Sequence, residues 1–209
     1  METELVRTFN PQFQPIGVAT RKDVHVNGWW HETFQCWFVS KQDGEMNVFL
    51  QLRSFRKKDF ANLFDITAAG HILANETVED GVREVREELG INISFNDLIP
   101  LGVIPNQIKT DNIKDNEFSH VFLYIRPLSW ENFLLQEEEV AGIAKAEMSD
   151  FCKFCNDTSV YLEIEGFEMK ENGEKVWFQR KITKQDFVPH SEFYFSSVSQ
   201  AIQRFITVD

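Results

Sequence analysis

Three glutamates in one short segment are the residues of this chain best placed to act together chemically. Glu84, Glu87 and Glu88 stand at positions i, i+3 and i+4, so a helix would place their carboxylates on one surface. Like charges at this spacing destabilise an isolated helix by about 0.2–0.5 kcal/mol per pair. The cluster is therefore expected either to form a solvated acidic face or to hold a hard divalent cation between its oxygens.

The same segment carries the apolar pattern of a helix that packs on a sheet. The apolar positions follow at helical steps and are Val78, Val82, Val85 and Leu89. The predicted helix begins near Thr77 and ends at Gly90, a residue type that often terminates helices. Gly81 lies on the side of the glutamates, where the missing side chain would either let a loop or a substrate come close or merely be tolerated.

The stretch from residue 68 to residue 91 resembles the Nudix box. That family pattern runs Gly, five residues, Glu, seven residues, Arg-Glu, an apolar residue, any residue, Glu-Glu, any residue, Gly and an apolar residue. Gly70 and Glu76 match its first part, and REVREELGI at residues 83–91 matches its second part. Only six residues separate Glu76 from Arg83, which indicates a loop shortened by one residue.

The resemblance implies an α/β fold, a Nudix-type α/β/α sandwich with a mixed sheet. It also implies hydrolysis of a diphosphate linkage in a nucleoside diphosphate derivative or another small organic diphosphate, with Mg²⁺ (or Mn²⁺) as cofactor. The metal ligands are then expected to be Gly70, Glu84, Glu87 and Glu88. The catalytic candidates are Glu87, Glu88 and Glu139, and the substrate-binding candidates are His71 and Arg83, which is also expected to hold the loop by an ion pair.

Glu139 is a catalytic candidate because of its neighbours in the sequence. Glu138-Glu139-Val140 resembles a segment in which many Nudix proteins carry an acid that positions the metal or the attacking water. A solvated acidic loop is the alternative interpretation.

Three histidines carry a second resemblance, to the Nudix branch that includes isopentenyl-diphosphate isomerase. In that enzyme two upstream histidines, the histidine after Cys-Gly and glutamates of the helix bind metal, and the cysteine transfers a proton. His25, His31 and His71 resemble the histidines, but Ala69 stands at the position of the cysteine. Alanine has no acid–base capacity, so isomerase activity is an alternative, as is an inactive ligand-sensing module. His31 is either structural or a phosphate contact, and His71 is expected near the metal.

Composition limits the partners. The chain of 209 residues carries 21 Lys and Arg against 33 Asp and Glu, a net charge of -12, which disfavours polymeric nucleic acid. No signal-peptide pattern and no apolar run of about 18 residues is present, so we expect a cytoplasmic protein without a membrane segment. Cys152 and Cys155 are interpreted as two thiols of an amphipathic helix, in preference to a metal or redox site.

Apolar patterns and turn signals predict the remaining elements. Strands are expected at 16–19, in the second half of 24–39, and at 46–53, 64–68, 98–104, 117–126 and 143–146, with a polar connection at 105–116. A helix capped by Ser149 should follow. The chain is predicted to be a single Nudix domain over 1–209, with a core at about 17–155. An extension at about 156–209 carries a hairpin and a helix at 196–206, and either adds strands to the core or forms a homodimer surface.

Overall fold

A computed structural model describes residues 3–42, 44–111 and 113–206 of the chain. Its strands are β1 (Leu5–Phe9), β2 (Pro15–Thr20), β3 (Trp30–Gln42), β4 (Glu45–Arg53), β5 (Phe64–Asp65), β6 (Ala68–His71), β7 (Ile99–Lys109), β8 (Lys114–Ile125), β9 (Val140–Glu147), β10 (Leu162–Met169) and β11 (Lys175–Ile182). Its α-helices are α1 (Arg21–Asn27), α2 (Arg83–Leu89), α3 (Met148–Asn156) and α4 (Glu192–Ile206). No helix within the described ranges is long and apolar enough to cross a membrane.

The strands form one mixed sheet. Its main order is β11-β10-β9-β4-β3-β1-β2, and β8 joins it by pairing in parallel with β3. The other neighbouring strands pair antiparallel, including β7 with β8 and the short β6 with β3. The predicted mixed sheet is confirmed.

Helices cover both faces of this sheet because successive side chains of a strand point to opposite sides. Phe34, Cys36 and Phe38 of β3 pack in the cluster that contains the apolar residues of α2. Trp37 and Val39, which alternate with them, pack in the cluster that contains α3 and α4. The chain therefore has the expected α/β/α sandwich.

The glutamate helix begins later than its apolar pattern predicts. A 3-10 turn at Glu79–Val82 precedes α2, which starts only at Arg83. Four 3-10 residues rise about 8 Å and rotate about 480°, whereas five α-helical residues rise about 7.5 Å and rotate about 500°. The 3-10 turn thus accommodates the one-residue shortening before Arg83. Gly90 ends the helix as predicted, with a φ of 70°.

Gly81 makes a close contact, but with the sheet and not with a loop or substrate. The residue is buried, and a Cβ built on it would lie 2.6 Å from the Cβ of Phe34. Both alternatives from the sequence, the approach of a loop or substrate and mere tolerance, are therefore replaced by a packing role, in which the absent side chain lets the 3-10 turn lie against β3.

The predicted polar connection at 105–116 is wrong. β7 and β8 continue through most of it as one long antiparallel hairpin, in which Asn106 pairs with Glu117 and Ile108 with Asp115. The polar residues have low strand propensity, but the cross-strand pairing outweighs it. This correction places residues 114–116 inside a strand of the sheet.

The extension after residue 156 contains the predicted hairpin, β10 and β11, and β10 pairs with β9 of the main sheet. The extension therefore adds strands to the sheet, and a homodimer stays a prediction. The final helix starts at Glu192, four residues before the predicted start, and its Phe205 is exposed instead of buried. Helix α3 is capped by the side chain of Glu147 and not by Ser149.

The contact of Gly81 predicts a stability effect. Gly81→Ala should lower the free energy of unfolding by about 1–3 kcal/mol, because the new methyl group overlaps a side-chain atom fixed to the β3 backbone. Urea unfolding measures the change. Gly17→Ala is the matched control, since its Cβ would meet its nearest atom at an ordinary 3.6 Å. Equal stability of the two variants would contradict this packing role.

Candidate active site

A cavity of about 350 Å³ opens between α2, β3, β6 and β8. It collects the residues that the Nudix-box resemblance implied as catalytic, metal-binding or substrate-binding. The predicted residues in its lining are Gly70, His71, Arg83, Glu84, Glu87, Glu88 and Glu139. Ala69, at the position expected for the isomerase cysteine, also lines it.

Glu84 and Glu88 are the helix carboxylates that point into the protein. Glu88 is buried and its Oε2 accepts hydrogen bonds from the Ala69 N–H at 3.1 Å and from Gln51 at 3.4 Å. Glu84 lies directly over Gly70, where any Cβ would overlap the glutamate carboxyl group. The absent side chain of Gly70 thus leaves room for the Glu84 carboxylate in its present position.

Glu87 differs from its two neighbours. Its side chain is 44% exposed, and its Oε2 accepts from Arg83 at 3.0 Å. Arg83 also reaches Glu84 at 2.7 Å and Glu76 at 2.7 Å, and donates to the backbone carbonyl of His71. The guanidinium therefore joins the opening loop to the carboxylates of α2, and Glu76 lies outside the cavity lining.

Glu139 sits across the cavity, in the turn just before β9, and its carboxylate forms an ion pair with Lys57. Glu138 instead pairs with Arg56 at the surface, where its side chain is 66% exposed. The two consecutive glutamates thus face different surroundings, and it is Glu139 that approaches the site.

Three histidines meet beside one wall of the cavity. The rings of His25, His31 and His71 have centroids 5.0–5.3 Å apart, and the Nε2 atoms of His25 and His71 are separated by 3.3 Å. His25 comes from α1, which the sequence pattern did not predict. Burial lowers the pKa of His25 to about 3 and that of His71 well below its usual value, so the imidazoles are neutral and able to bind a metal.

Two carboxyl groups of β8, which the sequence had not singled out, complete this group. Asp115 Oδ1 lies 3.4 Å from His31 Nε2 and 3.5 Å from His25 Nε2. Glu117 shares a potential metal position with His31 and Asp115, their ligand atoms lying within 4.8 Å of one another. The carboxylates of β8 therefore lie beside the histidines, and the part that the isomerase resemblance implied for the helix glutamates stays a prediction.

The polar atoms of this wall fit a divalent cation. His31 Nδ1 lies 3.1 Å from the carbonyl of Trp29 and donates to it, which leaves Nε2 as an acceptor. His31 Nε2 and Asp115 Oδ1 are both buried without a hydrogen-bond partner among the described residues. Two facing buried acceptors are unfavourable unless a proton or a cation lies between them. Imidazole ligands suit transition-metal ions such as Fe²⁺ and Zn²⁺, and carboxylate ligands suit Mn²⁺ and Mg²⁺, so the mixed set is compatible with a divalent first-row ion such as Mn²⁺.

Burial also raises the pKa values of four carboxyl groups of the site. The pKa of Glu84 rises to about 7, opposed by Arg83, and those of Asp115 and Glu117 also rise to about 7. That of Glu88 lies well above its usual value because the side chain is buried and Glu84 is close. Such shifts are common at functional sites.

The other two histidines have carboxylate partners. His120 lies 2.8 Å from Glu32, and neither residue lines the cavity. His190, from the segment before α4, lines the cavity and contacts Asp65 at 2.8 Å. No sequence pattern linked residue 190 to the site, because the contact depends on how the extension packs on the core.

The sequence and the fold match a known family. Residues 29–154, more than half of the chain, match the model of the NUDIX domain. The chain therefore belongs to the Nudix family.

The relatives agree with this assignment. An uncharacterized Nudix hydrolase of Clostridium acetobutylicum is 36% identical over 97% of this chain and 98% of its own length. An isopentenyl-diphosphate Δ-isomerase of Photorhabdus laumondii is 29% identical over 52% of this chain and 59% of its own length. The crystal structure of DR0079 from Deinococcus radiodurans has a TM-score of 0.56 at 17% identity, covering 72% of this chain and 87% of that one, and supports the fold.

The raised pKa of Glu84 predicts a pH effect on stability. In the metal-free protein the folded state keeps a proton on Glu84 up to about pH 7, whereas the unfolded chain loses it near 4.5. Stability from this proton is present below the unfolded pKa and is lost as the pH rises through the folded pKa. The free energy of unfolding of the wild type should therefore fall relative to that of Glu84→Gln between about pH 5 and about pH 8.

Urea unfolding in the presence of a chelator, at several pH values, measures this difference. A wild type that gains stability over Glu84→Gln as the pH rises would contradict the assigned direction.

Proposed function

We propose that the protein is a metal-dependent hydrolase that cleaves the diphosphate linkage of a nucleoside diphosphate derivative or another small organic diphosphate. The observation that carries the proposal is the meeting of two sets of potential metal ligands in one cavity. The box carboxylates Glu84 and Glu88 form one set, and His25, His71, Asp115 and Glu117 form the other, together with the buried His31 beside them.

The charges of the cavity support an anionic substrate only together with cations. Its lining contains nine acidic side chains, which are Glu4, Asp59, Asp65, Glu84, Glu87, Glu88, Asp115, Glu117 and Glu139. The lining contains four Lys and Arg side chains, which are Arg21, Arg53, Lys57 and Arg83. A diphosphate would be repelled by this excess of acids unless metal ions or protons offset it.

The two sets of ligands suggest where metal ions bind. His25, His31, His71, Asp115 and Glu117 would hold one ion. The carboxylates of Glu84, Glu87 and Glu88, with the backbone of Gly70, would hold Mg²⁺ or Mn²⁺ beside it. When bound, such ions polarise phosphoryl oxygens and lower the pKa of coordinated water.

The chain's own residues supply the remaining functions. Lys57, Arg21 and Arg53 are placed to contact phosphate oxygens, and Arg83 holds the carboxylates of α2 in register with the loop. Glu88 is the candidate for accepting a proton from the attacking water, because it lines the cavity and a bound cation would keep its carboxylate ionised. Glu139 is a second candidate for positioning that water, paired with Lys57.

The remaining part of the substrate would contact the apolar part of the lining. Phe60, Ile108, Ile113 and Val188 contribute apolar side chains to the cavity. Phe60 and Ile113 come from loops, Ile108 from the end of β7 and Val188 from the extension, so they are the candidates for choosing the group attached to the diphosphate.

Substitution of the buried glutamate tests the proposed activity. Glu88→Gln should lower kcat for a diphosphate substrate by about 10²-fold or more, because the amide cannot accept the proton and is a weak metal ligand. The measurement is phosphate release in the presence of Mg²⁺ or Mn²⁺ over a panel of nucleotide sugars, dinucleotides and nucleoside triphosphates.

Glu79→Gln provides the matched control, since Glu79 is exposed in the 3-10 turn before the same helix. Its activity should equal that of the wild type. Full metal-dependent activity of Glu88→Gln would refute the proposed site. Metal binding without turnover of any compound in the panel would favour the inactive ligand-sensing module.

The histidine and carboxylate cluster supports a second candidate function, the isomerisation of isopentenyl diphosphate. The proteins of that name among the relatives share about half of this chain. Against it, Ala69 offers no proton-transferring group where the cysteine would stand. Incubation with isopentenyl diphosphate distinguishes the two reactions: an isomeric diphosphate indicates isomerase activity, whereas released phosphate or diphosphate indicates hydrolysis.

A further inference from the structure

The C-terminal extension does more than add strands, because the segment before α4 and the first turn of α4 reach the wall of the active-site cavity. Val188 and His190 line the cavity, and Tyr194 is fully buried behind it. The polar groups of this segment are connected by hydrogen bonds to Glu117, one of the proposed metal ligands. Two separate chains of hydrogen bonds make this connection.

The first chain runs from Trp37 through Tyr194 and Gln35. The indole N–H of Trp37 can only donate, and it donates to the Tyr194 hydroxyl oxygen at 3.3 Å. The tyrosine hydroxyl in turn donates to Gln35 Oε1. This fixes the orientation of the amide, so that Gln35 Nε2 donates to Glu117 Oε2 at 3.2 Å.

The second chain runs through Asn106. The backbone N–H of Ser191 can only donate, and it donates to Asn106 Oδ1 at 3.2 Å. The amide nitrogen of Asn106 therefore faces both His190 Nδ1, at 2.9 Å, and Glu117 Oε2, at 3.5 Å. His190 must then accept at Nδ1 and donate from Nε2 to Asp65, at 2.8 Å.

Both chains end on the same oxygen of Glu117, and the Ser119 hydroxyl donates to that oxygen as well, at 3.3 Å. Three donors on Oε2 hold the carboxylate in one rotamer and favour its use of Oε1 toward the cavity. Their direction is set at the far end by donors that cannot be reversed, the Trp37 indole and the Ser191 backbone. The arrangement therefore imposes an orientation on Glu117 in addition to filling space.

We propose that Tyr194 and Asn106 are positioning residues, through which the C-terminal extension orients Glu117 for metal binding. This inference rests on the proposed metal site at the histidines and β8. Without the tyrosine hydroxyl, Gln35 can rotate and present its oxygen to Glu117, which repels the carboxylate. Without the Asn106 amide, one of the donors to Oε2 is lost.

Mn²⁺ binding by the full-length protein, measured by calorimetric titration, tests the proposal. Tyr194→Phe removes a single oxygen atom and should weaken the affinity for Mn²⁺ about tenfold, the usual effect of removing a partner that orients a ligand. Tyr161→Phe is the matched control, since it removes the hydroxyl of an exposed tyrosine of the same extension and should leave the affinity unchanged.

Asn106→Ala provides a second variant that acts through the other chain. Since both substitutions act on Glu117 Oε2, their effects on the affinity for Mn²⁺ should not be additive, and the double variant should lose less affinity than the two single losses combined predict. A purely structural role would lower thermal stability without this coupling. If Tyr194→Phe fails to fold, Asn106→Ala alone decides the question.

Wild-type affinity for Mn²⁺ in a folded Tyr194→Phe or Asn106→Ala variant overturns the inference. This outcome is distinguishable from failure of the proposed activity. A wild-type protein that binds Mn²⁺ but hydrolyses no diphosphate rejects the activity, whereas tenfold weaker binding in Tyr194→Phe still supports the positioning role.

Discussion

The parallel pairing of β3 with β8 is the constraint on which the active-site cavity depends. It sets Glu117 directly opposite His31, and the antiparallel pairing of β6 with β3 sets His71 opposite Thr33. Three strands that are distant in sequence thereby bring their ionisable groups to one end of the sheet. A shift of one residue in either register would turn these side chains to the other face. The register is held by the alternating apolar residues of β3, which pack on helices on both sides of the sheet.

The electrostatics of the cavity follow from this geometry. Burial keeps the imidazoles neutral and makes the carboxyl groups of Glu84, Asp115 and Glu117 retain protons to about pH 7. Each of these pKa shifts arises because burial disfavours a charge that lacks a partner. In the metal-free protein these imidazoles and carboxyl groups therefore tend to stay uncharged. A divalent cation at the proposed site would reverse this preference, because it would stabilise the ionised carboxylates and bind the imidazoles in their neutral form.

Local sequence patterns were sufficient for the elements whose contacts are local. The apolar seam of α2, its end at Gly90 and the β10–β11 hairpin depend on residues close in sequence, and the structure confirms them. The composition of residues 105–116 predicted a loop, whereas these residues form strands through distant pairing. Asp115 was missed for that reason, and Glu117 was read only as the first residue of a strand.

The residues of the site show the same difference between local and distant contacts. The box motif located Glu84 and Glu88, but helical spacing alone could not separate Glu87, which is exposed and paired with Arg83, from its buried neighbours. The place of Glu87 in a metal site stays a prediction. His190 and Tyr194 could not be found from sequence, because only the packing of the extension brings them beside the core. Motifs with fixed spacing therefore identify the helix residues of the site, whereas the other residues of the site are brought together by tertiary packing.

The facing acceptors of His31 and Asp115 have a consequence for the amount of folded protein in a cell. A cation that binds between them in the folded state alone stabilises that state by mass action, by about 2.7 kcal/mol when its free concentration is 100 times its dissociation constant. The fraction of unfolded molecules open to proteases would then follow the supply of the metal. Under metal starvation the amount of this protein, and not only its turnover rate, would decrease.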